Sequence, residues 1–187
     1  SVQSRYTSSK EVHAIANAMR AKHRGKAIIA GVDACQRLQG IPNKLLAFER
    51  LLDEFPEHRG RAVMVERVMI PSVRVDDVAS TRDEVTRLIA RIRAKHGDEC
   101  IDYAESSALP RASTSPLGLS QRVALWMVAD VLLQTPIREG LSLNSLEYIF
   151  VSMQGALFIS FVCFQRYSFV CSSILLFALF FCLLYSF

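Results

Sequence analysis

Gly31–Leu52, GVDACQRLQGIPNKLLAFERLL, is the stretch whose reading decides the fold. It follows Ala27-Ile28-Ile29-Ala30, a short apolar run of the kind a buried strand carries. Gly31 ends that run and Asp33 opens a turn, so a strand is expected over Lys26–Val32. Gly40 permits a backbone bend that a side chain would resist. Pro42 suits the first turn of a helix, where its missing N–H costs nothing. Leu45, Leu46, Phe48 and Leu52 recur at helical spacing and predict a helix over Pro42–Phe55, with Pro56 as its stop. Strand, glycine-bounded loop and helix in this order form a βα unit. Free N–H groups point outward at such a helix start, which is where α/β proteins hold phosphates. A βα unit with no ligand has the same outline.

The rest of the chain extends that unit. Residues 1–10 are polar and expected to be loose. Val12, Ile15, Ala16 and Met19 mark one face of a helix that runs to about His23, with His13 and His23 read as solvated helix residues. Ala62–Ile70 reads as a second buried strand, closed by Pro71. Asp76–Lys95 reads as a long helix with the stripe Val85, Leu88, Ile89 and Ile92. Its arginines lie mostly off that stripe and read as a solvated face with Asp83–Arg87 pairing, or else as a basic phosphate-binding surface. Cys100–Tyr103 is expected to be a short strand, Glu105–Gly118 a loop, Leu119–Ala129 a helix holding Trp126, and Val131–Gln134 a strand. The second loop after a strand, Thr135-Pro136-Ile137-Arg138-Glu139-Gly140, leads into a helix start over Leu141–Tyr148. This alternation predicts an α/β fold with a doubly wound, mostly parallel, Rossmann-like sheet. In such sheets ligands sit outside the carboxyl ends of the strands, and the loops after Val32 and Gln134 share that edge.

Composition narrows the function classes. The length of 187 residues allows about one domain. There are 22 basic and 18 acidic residues, and no basic run with interleaved aromatics, so nucleic acid is not an expected partner. The five cysteines make no CxxC or Cys/His spacing, so no metal is expected, and no disulfide framework is visible, which suits a reducing compartment. No secretory signal opens the chain, and Ser1 in place of Met leads us to expect a piece of a longer protein. From Tyr148 to Phe187 the only charged residue is Arg166. Ile149–Phe164 and Tyr167–Phe187 are two apolar runs, and the second is long enough to cross a bilayer. The expected organisation is a globular part over 11–151, in the cytoplasm, and an apolar helical tail over 152–187. That tail carries a candidate transmembrane segment at 167–187, or is read-through from noncoding sequence.

GVD…GIPNKLLAFERLLDEFPEHRG, followed by the strand ending at Pro71 and by VADVLLQTPIREGLSLNSLEYI, resembles the trehalose-6-phosphate synthase family over roughly Lys10–Val151. The resemblance implies one Rossmann-like half of a GT-B glucosyltransferase. Such enzymes move glucose from UDP-glucose, a nucleotide sugar, to glucose-6-phosphate, with no cofactor. It further implies donor-binding residues at Glu139, Gly140, Leu141, Ser142 and Leu143, with Arg138 beside them. Glu147 falls where the family's glutamate takes the ribose hydroxyls. Ala34 and Gln39 stand where the family has an arginine and a lysine for the donor diphosphate, and Arg37 is the nearby cation that could partly compensate. The acceptor domain is not in the chain, and one half of a GT-B cleft cannot position both substrates. The expected function is therefore a synthase-type domain that is inactive or nearly so alone. It could be completed by an N-terminal acceptor domain or another synthase subunit. The alternatives are a non-catalytic regulatory subunit and a membrane-anchored interaction protein.

Overall fold

The computed structural model describes residues 9–107, 118–138, 142–152 and 157–160. Helix α1 (Lys10–Lys22) leads into strand β1 (Ala27–Ala34), a 3-10 turn (Arg37–Gln39) and helix α2 (Ile41–Glu54). Strand β2 (Ala62–Ile70), helix α3 (Val75–His96) and strand β3 (Ile101–Ser107) follow. Helix α4 (Leu119–Val128), strand β4 (Val131–Gln134), helix α5 (Leu143–Val151) and strand β5 (Leu157–Ser160) complete the described chain. The sheet is parallel throughout, in the order β3-β2-β1-β4-β5. The order reverses between β1 and β4, so the carboxyl ends of those two strands flank the switch point.

Each face of the sheet buries its own apolar cluster. Ile29, Met64 and Val68 point with Leu45, Phe48, Leu51 and Ile92 into the layer under α2 and α3. Ile28, Ala30, Val63, Val65 and Leu132 point with Val12, Trp126 and Tyr148 into the layer under α1, α4 and α5. The α2 helix owes its place to the stripe Ile41, Leu45, Phe48 and Leu52, all almost fully buried.

Four sequence expectations are corrected. β1 does not end at Val32; it runs on through Asp33 to Ala34, because its pairing with β2 continues as far as Met69. β3 extends to Ser107, where a loop was expected from Glu105, because it pairs with β2 as far as Ile70. His23 is 5% exposed and bonded to Asp102, not solvated. Leu157–Ser160, expected in an apolar helical tail, is a strand paired in parallel with β4 from Val131 to Gln134. The candidate transmembrane segment at 167–187 lies outside the described residues. Among the described residues no helix is long and apolar enough to cross a membrane.

Candidate functional site at the carboxyl edge

The two loops singled out by the sequence meet at the switch point. Gly40 closes the first loop with φ 70°, a left-handed conformation that suits glycine. The position is also crowded, since a Cβ there would run into the Thr135 carbonyl. Thr135 Oγ1 donates to the Gly40 carbonyl at 3.0 Å, and Ile137 N donates to the Leu38 carbonyl at 2.8 Å. Asn144 Nδ2, on the first turn of α5, donates to the Val32 carbonyl at 3.0 Å. The result is a continuous backbone rim made of the ends of β1 and β4 and the starts of α2 and α5.

The predicted donor residues distribute around this rim. Ala34 is the last residue of β1, and Gln39 ends the 3-10 turn; both are half-buried. Arg37 starts that turn with its side chain exposed, and its backbone N–H donates to Asp77 Oδ1 at 3.3 Å. Arg138 is exposed on the facing loop. Glu139, Gly140 and Leu141 lie outside the described residues. Ser142 precedes α5 without capping it; its Oγ accepts from Gln134 Nε2 at 2.8 Å. Ser145 Oγ donates to Gln134 Oε1 and completes that tie. Leu143 is 70% exposed.

Glu147 faces α4. Its Oε2 accepts from Arg122 Nε at 2.8 Å and Trp126 Nε1 at 3.3 Å, and its Oε1 accepts from Arg122 Nη2 at 2.9 Å. A carboxylate oxygen has two lone pairs, so Oε1 keeps one acceptor position for a further hydroxyl. Arg122 and Trp126 were not foreseen, although both lie on a helix read correctly.

The sequence reading also missed what lies beneath the first loop. Lys44, in the first turn of α2, reaches back to Asp33 on β1 with a hydrogen bond and stands 3.1 Å from Glu66 Oε2 on β2. All three side chains are at most 4% exposed. Gly31 leaves room for the cluster, because a Cβ would drive into Glu66 Oε2 and lie 2.5 Å from Lys44 Nζ, so both side chains would have to shift. Two signals were present in the sequence. Lys44 stands three residues after Ile41 and four before Phe48, inside the apolar stripe, and Glu66 interrupts the apolar run Ala62–Ile70. Burial disfavours the Lys44 ammonium, but the facing Asp33 and Glu66 carboxylates outweigh it and hold Lys44 above the ordinary lysine range. Burial, reinforced by Asp33, pushes Glu66 up to about 8 against the opposing Lys44.

A second charged cluster lies on the opposite face. Asp102 accepts from Lys22 Nζ at 2.8 Å, pairs with His23 Nε2 at 2.9 Å, and takes both terminal nitrogens of Arg67 at 3.2 Å. A cavity of about 290 Å³ opens beside it at the amino edge, lined by Lys22, His23, Lys26, Arg93, Asp102 and Tyr103 among others. Burial alone would raise Asp102, but Lys22, Arg67 and His23 hold it well below the usual carboxylate range. No group of His, Cys, Asp and Glu suited to a metal ion occurs among the described residues.

A switch point rimmed by two βα loops is common to many nucleotide-binding proteins, so relatives decide the family. The family model described as glycosyltransferase family 20 matches residues 2–169. The chain belongs to glycosyltransferase family 20. The match runs through β5 and past the point where the apolar tail was expected to begin. An alpha,alpha-trehalose-phosphate synthase (UDP-forming) of Schizosaccharomyces pombe is 34% identical over 139 residues, which cover 73% of this chain and 26% of that protein. The chain spans between 16% and 26% of the length of the first such relatives. Two solved structures share the fold. The N-terminal domain of Candida albicans trehalose-6-phosphate phosphatase superposes with a TM-score of 0.69 at 20% identity, covering 95% of this chain and 44% of that one. An Escherichia coli family structure bound with UDP-2-fluoro glucose superposes with a TM-score of 0.66 at 21% identity, covering 80% of this chain and 34% of that one. These likenesses give the family 20 chain the fold of a Rossmann-like half of a GT-B arrangement.

Proposed function

We propose that this family 20 chain is a donor-binding domain of trehalose-phosphate synthase type, which takes UDP-glucose at the rim between β1 and β4. The observation that carries this reading is the lacing of the two loops through Thr135 to Gly40, Ile137 to Leu38 and Asn144 to Val32. It holds the start of α5, with its unbonded N–H groups, against the first loop, where a diphosphate can accept from them. In this reading Glu147 Oε1 accepts a ribose hydroxyl while Arg122 and Trp126 fix the carboxylate. Arg37 and Arg138 supply exposed positive charge on the two loops. Transfer to glucose-6-phosphate requires an acceptor domain across the cleft, supplied by a longer chain or another synthase subunit. Alone, the domain binds the donor and does not turn over.

A second reading, a non-catalytic regulatory domain, is favoured by Ala34 and Gln39. They stand at the loop ends where the family resemblance implies cations for the diphosphate. Loss of two charge-assisted contacts weakens donor binding in either reading. Calorimetric titration of the full chain with UDP-glucose tests the proposal. Saturable binding, weakened at least about tenfold by Glu147→Ala, is expected for a carboxylate–hydroxyl bond of about 1.5–3 kcal/mol. Absence of binding at millimolar ligand by a folded chain removes the donor reading and leaves the regulatory one.

A further inference from the structure

We propose that filling the carboxyl-edge site with a diphosphate is coupled to uptake of a proton by the buried Asp33–Lys44–Glu66 cluster. This inference rests on the donor reading above and adds a regulation to it.

The geometry brackets the loop. Asp33 is the second-last residue of β1 and Lys44 sits in the first turn of α2, so their bond spans the base of residues 35–40. Glu66 enters from β2, beside Gly31 in the strand register. The charge count does not balance, with one ammonium for two carboxylates, all nearly sealed from water. Asp33 receives the Lys44 hydrogen bond. Glu66 Oε2 stands 3.1 Å from Lys44 Nζ, and the carboxyl also faces Asp33, to which only its protonated form can donate. Two ionised carboxylates buried around one ammonium are strongly disfavoured, and Asp33 already holds the Lys44 hydrogen bond, so Glu66 is the group that takes the proton.

The neighbours agree with this assignment. Tyr103 lies opposite Glu66 on β3, but its hydroxyl donates to Glu105, and burial with that bond holds it far above the ordinary tyrosine range. Arg67, next in the chain, points to the other face and is bound to Asp102. Nearer the carboxyl edge on this face stand Cys35, whose thiol is pushed up by burial, and the Glu105–Arg82 pair. Burial pushes the Glu66 carboxyl up to about 8, so its protonation step falls in the working range.

The sign follows from charge. A diphosphate arriving at the rim is repelled by a cluster carrying net −1 and not by one carrying net zero. Its binding favours the protonated cluster, and by linkage the proton favours binding. The step takes one proton from solvent onto a Glu66 oxygen and breaks no covalent bond.

The test is calorimetry of the full chain with UDP as the probe, at pH 8 in two buffers of different ionisation enthalpy. The second ionisation of a phosphate lies near about 6, so the probe itself takes up almost no proton there. We expect about 0.3 to 0.5 proton taken up per UDP bound at pH 8, with affinity falling about three- to tenfold between pH 7 and pH 9. Glu66→Gln, checked for folding by circular dichroism, should bind with no net uptake. If that variant does not fold, carbon-13 titration of the Glu66 carboxyl in the native chain should move to higher pH when UDP is added. Binding without uptake, uptake unchanged in Glu66→Gln, or an unmoved carboxyl titration overturns this inference and leaves the donor reading standing. No UDP binding by a folded chain overturns both.

Discussion

Glu66 and Arg67 are neighbours on β2 that face opposite sides of one sheet, and the two clusters they join have opposite imbalances. On the α2 side, one cation meets two carboxylates, and burial raises Glu66. On the α1 side, one carboxylate meets Lys22, His23 and Arg67, and Asp102 is lowered despite its burial. Desolvation opposes ionisation in both places. What differs is the number of opposite charges that each carboxylate can reach, and that number decides the direction of its shift. The lower-charge cluster lies beneath the laced loops, while the cation-rich one borders the amino-edge cavity. Two faces of one sheet can therefore hold one carboxyl raised toward neutral pH and another kept ionised well below its ordinary range.

Removing Lys44 should break this comparison most sharply. Lys44→Met leaves the buried Asp33 carboxylate without its counter-ion, so a loss of about 3–5 kcal/mol is expected in urea unfolding at neutral pH. Part of that loss should return at about pH 5, where both carboxyls take protons. A variant as stable as the native chain at pH 7.5 would mean the cluster is not charged as described.

Asp102→Asn tests the other side with a smaller expected loss of about 1.5–3 kcal/mol, the range for hydrogen bonds to charged groups. The pH sign differs as well. The folded carboxyl is lowered, so its contribution is present above the ordinary aspartate value and is lost as pH falls through the folded one. The native chain should lose stability below about pH 4 in thermal scans, and the variant should show a flatter acid limb. His23, lowered mainly by burial despite Asp102, should stay neutral near pH 7 in an imidazole NMR titration.

At neutral pH the smallest effect is expected from Glu66→Gln, which replaces a carboxyl that is already mostly protonated there. The folded Glu66 is raised from 4.5 to about 8, so the folded state holds the extra proton between those values. That stabilisation is full below the unfolded value and is lost as pH rises through the folded one. The slope contributed is at most about 1.4 kcal/mol per pH unit. The variant should lack this fall between pH 5 and pH 8, and an unchanged pH profile would assign the slope to another group.

Much of the fold could be read from pattern. Ala62–Ile70 and Val131–Gln134 are strands with the bounds expected from their apolar runs, and α2 begins one residue before Pro42. The tail was misread at Leu157–Ser160 because a short segment inside a long apolar run has no period that separates strand from helix. Pairing with β4 decided it. The α3 arginines illustrate a different limit. Arg87 donates to the backbone carbonyl of Asp83, not to its carboxylate, and Arg82 and Arg91 leave the helix to pair with Glu105 and Glu49. Spacing along one helix shows which side chains are near each other, but partners on other elements compete for the same cations.

The sequence by itself determined the alternation of strand and helix, the two loops that share the carboxyl edge, and the family resemblance that the family match bears out. Those properties follow from local periodicity, proline and glycine placement, and motif order. Only the tertiary structure decided what Gly31, Lys44, Glu66 and His23 do. Asp33 and Lys44 are eleven residues apart and Glu66 lies on another strand, so no local pattern shows that one cation must serve two carboxylates. The physical reason is that a buried charge is governed by the groups packed around it in space, and those come from elements far apart in the chain.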